Sequence, residues 1–195
     1  MRVVVLIIVA AAFAGGLAGA AEEALINGDF EGGTLKPWRT DYFFCSDRGA
    51  RSGNYGAMFW VSETGPFFGY VDCYLQQYLP RTYQPYEIKR MEMWASLSSS
   101  YESGHSYIEV SLGRNCKRFT SRKNEVKWGW NHIVFPQERI IHRANYVRAY
   151  FAIEADEENW RWNVFGAFAD DITLTVSPAQ AVEPTSLGRI RTLFR

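Results

Sequence analysis

The feature that most constrains this chain is a repeated alternation of apolar and polar residues with period two. Met91, Met93, Ala95 and Leu97 alternate with Glu92, Trp94 and Ser96. Ile108, Val110 and Leu112 alternate with Tyr107, Glu109 and Ser111, and Ile133 and Phe135 with His132 and Val134. The same pattern runs through Val71, Cys73 and Leu75, through Val147 to Ile153, and through Ile172 to Val176. Successive side chains of a strand point to opposite faces, so each run is a half-buried strand. Turn signals at Ser52-Gly53-Asn54, Thr64-Gly65-Pro66 and Ser103-Gly104 separate the runs. No convincing amphipathic helix appears between residues 21 and 176. The expected fold is all-β: a two-sheet antiparallel sandwich of the jelly-roll kind, with eight or nine strands.

Both ends differ from this body. Arg2 precedes an unbroken apolar run, Val3–Ala14, and Ala18-Gly19-Ala20 fits a small-residue cleavage site. Residues 1–20 read as a signal peptide; a membrane anchor is the alternative. The sandwich is expected over 21–176. Residues 177–195 read as a Pro-containing linker and a short basic tail, either a tag for sorting or anchoring machinery or a frayed end. With the signal removed, no transmembrane span is expected. The chain carries 21 Lys+Arg and 21 Asp+Glu, so its formal charge is zero. That balance argues against a nucleic-acid partner.

Export would permit a disulfide, and Cys45–Cys73 is the favoured pair among Cys45, Cys73 and Cys116; three unpaired thiols are the alternative.

Several blocks carry a family resemblance. Leu25-Ile26-Asn27-Gly28-Asp29-Phe30-Glu31 with Pro37-Trp38 resembles the opening of CenC-type carbohydrate-binding modules, which are galactose-binding-like jelly rolls. Ala50–Met58, Glu92–Ala95, Trp130–Pro136 and Ala169–Leu174 resemble later blocks of that family, in family order. The resemblance implies an exported, non-catalytic module that binds a poly- or oligosaccharide. It also implies a structural calcium, with Asp29 (through its carbonyl), Glu31 and Asp170 as ligands and the Ser52–Asn54 loop adding carbonyls. Parity supports one part of this: Asp170 shares even numbering with Ile172, Leu174 and Val176 and so points inward. A buried carboxylate needs a cation or a strong donor. Calcium is one answer; Arg51 or Arg161 is the other.

Sugar recognition needs aromatic faces for pyranose C–H groups and planar polar groups for hydroxyls. Aromatic residues make up 16% of this chain, more than one small core absorbs. The residues opposite the apolar sets are Trp94, Tyr107, Trp130 and Tyr150, together with Glu92, Glu109, His132 and Arg148. They are expected on one mixed face, either open as a cleft or covered by loops. Trp160 and Trp162 form a second candidate at the rim, while Trp38 and Trp60 read as structural. Two other functions remain: a surface interaction sandwich without sugar affinity, and a small glycoside hydrolase using Glu92 and Glu109.

Overall fold

A computed structural model of the chain describes residues 21–63, 70–99, 105–127, 129–154 and 163–177. Eleven strands occur among them: β1 (Glu22–Glu23), β2 (Arg39–Thr40), β3 (Phe44–Ser46), β4 (Gly56–Glu63), β5 (Tyr70–Tyr83), β6 (Ile88–Ser99), β7 (His105–Leu112), β8 (Asn115–Thr120), β9 (Gly129–Val134), β10 (Ala144–Glu154) and β11 (Asn163–Val176). The excess over the expected eight or nine comes from β1, β2 and β3, each of two or three residues. Such short pairings leave no periodic signal in a sequence. All strand pairs are antiparallel. Among the described residues no helix is long and apolar enough to cross a membrane.

The strands form two sheets. One runs β3-β4-β11-β6-β9, with β1 paired to β11; the other runs β2-β5-β10-β7-β8. The all-β, two-sheet expectation holds. Chain order alternates between the layers: β4 is in the first, β5 in the second, β6 in the first, β7 in the second. The apolar parity sets meet between the sheets. Met91, Met93, Ala95 and Leu97 face Ile108, Val110, Leu112, Val147, Ala149 and Phe151 in one buried core. Trp38 belongs to it, as expected, and its indole N–H donates to the Asn27 carbonyl at 3.0 Å.

Strand β11 changes parity in mid-course. Phe165, Ala167 and Ala169 are buried before residue 170, and Ile172, Leu174 and Val176 after it. Between them the register with β6 shifts and Asp171 adopts φ +51°. This is a β-bulge. It corrects the reason given for Asp170. Asp170 is fully buried, but it sits opposite Trp94 on the outward side of β11. The loop at Arg51 and Ser52 covers it.

Candidate functional site

The expected single aromatic face is divided. Glu92 and Trp94 lie on β6, with Trp130 and His132 beside them on β9, all on the outer side of the first sheet. Tyr107 and Glu109 lie on β7, with Arg148 and Tyr150 beside them on β10, on the outer side of the second. Parity distinguishes inside from outside, and a sandwich has two outsides. The separation also means that Glu92 and Glu109 do not form the carboxylate pair that hydrolysis would use.

On the first sheet Trp94 is already engaged. The His132 ring stacks on it at 4.7 Å between centroids and 17° between planes. From the β11 side, the Arg51 guanidinium lies 3.6 Å from its ring centroid. The row continues outward through charges. His132 Nε2 is 2.7 Å from a Glu92 carboxylate oxygen, which also accepts from Arg90 at 2.7 Å. At the other end Arg51 donates to Asp171 at 3.1 Å. Farther along this face Trp60 and Trp130 flank Phe168, with centroids 6.3 and 6.4 Å away. Trp60, read as structural, is 43% exposed.

The second sheet offers a more continuous surface. In register across β5, β10, β7 and β8 lie Tyr74, Tyr150, Glu109 and Arg118. The next row holds Gln76, Arg148, Ser111 and Cys116. The Arg148 guanidinium lies 4.8 Å from the Tyr74 ring and 5.1 Å from the Tyr150 ring, between the two. Tyr107 and Tyr150 are 6.0 Å apart and tilted by 33°. Arg118 covers Tyr107 at 4.0 Å and donates twice to one Glu109 oxygen, at 3.1 and 3.2 Å. Tyr150 donates to Asp72. A hydrogen bond to the Asp41 carboxylate raises the Tyr74 hydroxyl above the ordinary tyrosine range. Each side chain is thus held in place by a neighbour; Tyr74 and Tyr150 stay half-exposed, while Tyr107 is buried at 7% beneath Arg118. A flat ligand bearing C–H faces and hydroxyls matches this surface.

Four of these residues were legible from parity: Tyr107, Glu109, Arg148 and Tyr150. Asp72, Tyr74 and Gln76 were missed, although they alternate with Val71, Cys73 and Leu75 and the same test finds them. Arg118 lies in a strand too polar to show a period. Trp160 and Trp162 lie outside the described residues.

The expected calcium ligands flank the loop of residues 51–55, the seam that bonds Glu31 of the N-terminal segment on one side and Asp170 of β11 on the other. The Glu31 carboxylate accepts from the backbone N–H groups of Asn54 and Tyr55 at 2.8 and 2.9 Å, and from the Asn54 side chain at 3.1 Å. These bonds, led by that from Tyr55, lower its carboxyl below the ordinary glutamate range. Asp29 accepts from the Glu31 N–H at 3.3 Å. Asp170 accepts from the N–H groups of Arg51, Ser52 and Asp171 at 2.8, 3.1 and 2.9 Å. Burial nevertheless keeps the Asp170 carboxyl above the ordinary aspartate range. The Cys45 thiol is raised as well, by burial first and then by the charges of Glu31 and Asp170. Among the described residues no cationic side chain pairs with Glu31 or Asp170, since Arg51 turns to Asp171; Arg161, the other expected partner, lies outside them. Among the described residues no three His, Cys, Asp or Glu side chains converge, so a calcium here would draw on two carboxylates and on carbonyls. That oxygen chemistry fits the ion.

Cys45, Cys73 and Cys116 are free, so the expected Cys45–Cys73 bridge is not made. Cys45 lies on β3 of the first sheet and donates to the Phe30 carbonyl at 3.7 Å. Cys73 lies on β5 of the second sheet, buried opposite Phe151.

No protein-family model matches the chain, and no curated protein matches its sequence. Solved structures do. One is TmCBM61 in complex with β-1,4-galactotriose: TM-score 0.50, 19% identity, 78% of this chain and 97% of that one covered. Another is Caldicellulosiruptor saccharolyticus CBM27-1 in complex with mannohexaose, at TM-score 0.45 and 15% identity over 83% and 98%. A third is described by the promiscuous specificity of carbohydrate-binding modules from the β-sandwich superfamily: TM-score 0.48, 15% identity, 75% and 60% covered. The first establishes a shared β-sandwich fold.

Proposed function

We propose that this protein is an exported, non-catalytic carbohydrate-binding module that lays an oligo- or polysaccharide across the outer face of its second sheet. One observation carries the reading. Tyr74, Tyr107 and Tyr150 lie together on that face, with Arg148, Glu109 and Arg118 fixed among them. The half-exposed Tyr74 and Tyr150 rings would remove pyranose C–H area from water, with buried Tyr107 packed behind them. The guanidinium and carboxylate groups would orient hydroxyls. The CenC-type sequence blocks support the same reading, as do structural neighbours that are carbohydrate-binding modules. Met1–Ala20 as an export signal, and the basic tail as a sorting or anchoring tag, belong to it.

A calcium ion at the seam is the second element of the proposal. Glu31 and Asp170 would hold it with backbone carbonyls near Asp29 and Ser52–Asn54. It would tie the N-terminal segment to β11 and neutralise the Glu31 and Asp170 charges that add to the rise at Cys45. The N–H groups now bound to both carboxylates would share those oxygens with the ion.

The test is a glycan array on the purified chain, followed by titration calorimetry of the hits. Tyr150→Ala and Arg148→Lys are expected to weaken binding about tenfold or more, while Trp94→Ala leaves it unchanged. Arg148→Lys keeps the charge and loses the planar fork, so it serves if Tyr150→Ala unfolds. A blank array overturns the reading and favours an interaction sandwich, for which the exposed Trp60 and Trp130 would be the contact surface.

A further inference from the structure

Past the tyrosines, at one end of the second sheet, lies a cavity of about 660 Å³ lined in part by Arg114, His142 and Arg143. No carboxylate lines it. Its sign runs against the body of the chain, which holds 17 basic and 20 acidic residues between positions 21 and 176. Among the described residues neither arginine has an ion-pair partner.

The frame behind these cations is built. Asn115 is 3% exposed. Its side-chain amide donates to the carbonyls of Leu112 and His142 at 2.8 and 2.6 Å. Its side-chain oxygen accepts from the N–H groups of Ile141 and His142 at 3.0 and 2.8 Å. All four hydrogen-bonding capacities of one buried amide therefore join the β7–β8 hairpin to the segment entering β10. Gly113 closes the junction. Its N–H donates to the Tyr146 carbonyl at 2.9 Å, and its φ is +58°. A Cβ there would stand 2.8 Å from the Arg143 carbonyl oxygen, so the two segments meet only because the residue is glycine. The backbones of Arg114 and Arg143 are thus brought to one cavity before any ligand arrives, which leaves only their exposed side chains to be ordered on binding.

Tyr146 lines this cavity and also belongs to the outer face, where its ring lies 6.3 Å from that of Tyr78. Arg148 and Tyr150 follow it along β10. At about 3.3 Å per residue, Tyr150 is roughly 13 Å away, within the span of a short oligosaccharide. Resting on the glycan-binding reading above, we infer that the cavity is an anion subsite and that the glycan is acidic. A carboxylate or sulfate on it would be received by Arg114 and Arg143, whose forked N–H groups match planar and tetrahedral oxyanions.

Three oligosaccharides of equal length separate the outcomes: a neutral galactan, an oligogalacturonate and a sulfated galactan. At low salt one acidic oligomer is expected to bind the full chain at least about tenfold tighter than the neutral one. That advantage should shrink as salt rises. It should vanish in the Arg114→Met, Arg143→Met double variant, with neutral binding unchanged. Which acid wins tells carboxylate from sulfate. Inorganic sulfate alone should shift the backbone amide signals of Gly113, Arg114 and Arg143; absence of those shifts overturns the subsite. Neutral binding with no acidic advantage, or an advantage that survives the double variant, overturns this inference and leaves the glycan reading standing. Failure of all three oligomers overturns this inference, and together with a blank array it overturns both.

Discussion

The Arg51 guanidinium lies 3.6 Å above the Trp94 ring, and the backbone N–H of the same arginine donates to buried Asp170. One residue thus joins the outer face of the first sheet to the seam at the N-terminus. Arg51→Ala removes the stacked cation but keeps the N–H. A loss of about 0.5–1 kcal/mol is expected, with a red shift of tryptophan emission as Trp94 gains water. Emission unchanged from the parent protein would show that the stacking does not persist in solution.

Asn115→Ala should cost more. It removes four hydrogen bonds, one buried at the Leu112 carbonyl and three part-buried at Ile141 and His142, and an unpaired buried group costs about 1–3 kcal/mol where water does not relieve it. A net loss of at least about 2 kcal/mol is expected in urea unfolding. Asn115→Asp keeps the acceptor and loses the donor, so its cost should fall between parent and alanine. A loss under a few tenths would mean that the hairpin and the β10 entry are not coupled.

Gly166 lets an aromatic ring cross strand β11. A Cβ there would stand 2.7 Å from Trp60 Cε3 and 2.9 Å from Phe168 Cε2. Gly166→Ala should therefore destabilise by about 1–3 kcal/mol through overpacking. In a Trp60→Ala background the cost should drop sharply. A double-mutant cycle with no coupling between the two positions would contradict the placement of Trp60.

Acid and chelator probe the seam from two directions. The Glu31 carboxyl is lowered in the folded chain, so its contribution is present above the ordinary glutamate range and is lost as pH falls through the lower folded value. Asp170 is raised, so its contribution is full below the ordinary aspartate range and is lost as pH rises through the folded value. Glu31→Gln should flatten the acid limb of the thermal midpoint, and Asp170 should oppose that limb in the parent. On the calcium proposal, a chelator lowers the midpoint at neutral pH and excess calcium restores it. Glu31→Gln should lose most of that response. A midpoint indifferent to both reagents would remove the ion from the seam.

The strand interiors were legible because burial on one side writes a period-two pattern. Met91 to Leu97 and Val147 to Ile153 needed nothing else. The two-residue pairings of β1 and β2 were not legible, since a pattern needs several turns of its period to exist. The site was half legible. Parity marked Tyr107, Glu109, Arg148 and Tyr150 as outward, and equally Trp94 and Trp130, without saying which outward side. Layer membership depends on connections between strands far apart in sequence, and no local period encodes it. Asp170 shows a subtler limit. Its burial was expected and is found, yet it follows from a covering loop, because the bulge had already reversed the parity used to infer it.

That reversal makes β11 behave like a message with an inserted letter. Upstream of Asp171 the strand offers Phe168 to the outside; downstream it offers Ile172, Leu174 and Val176 to the inside, all on even numbers. Keeping that residue but flattening the bulge would carry the odd-numbered frame through and turn the last stretch over, pressing Thr173 and Thr175 into the core and three aliphatic side chains into water. The closing strand can serve a decorated surface and a dry interior at once only because one residue is out of step.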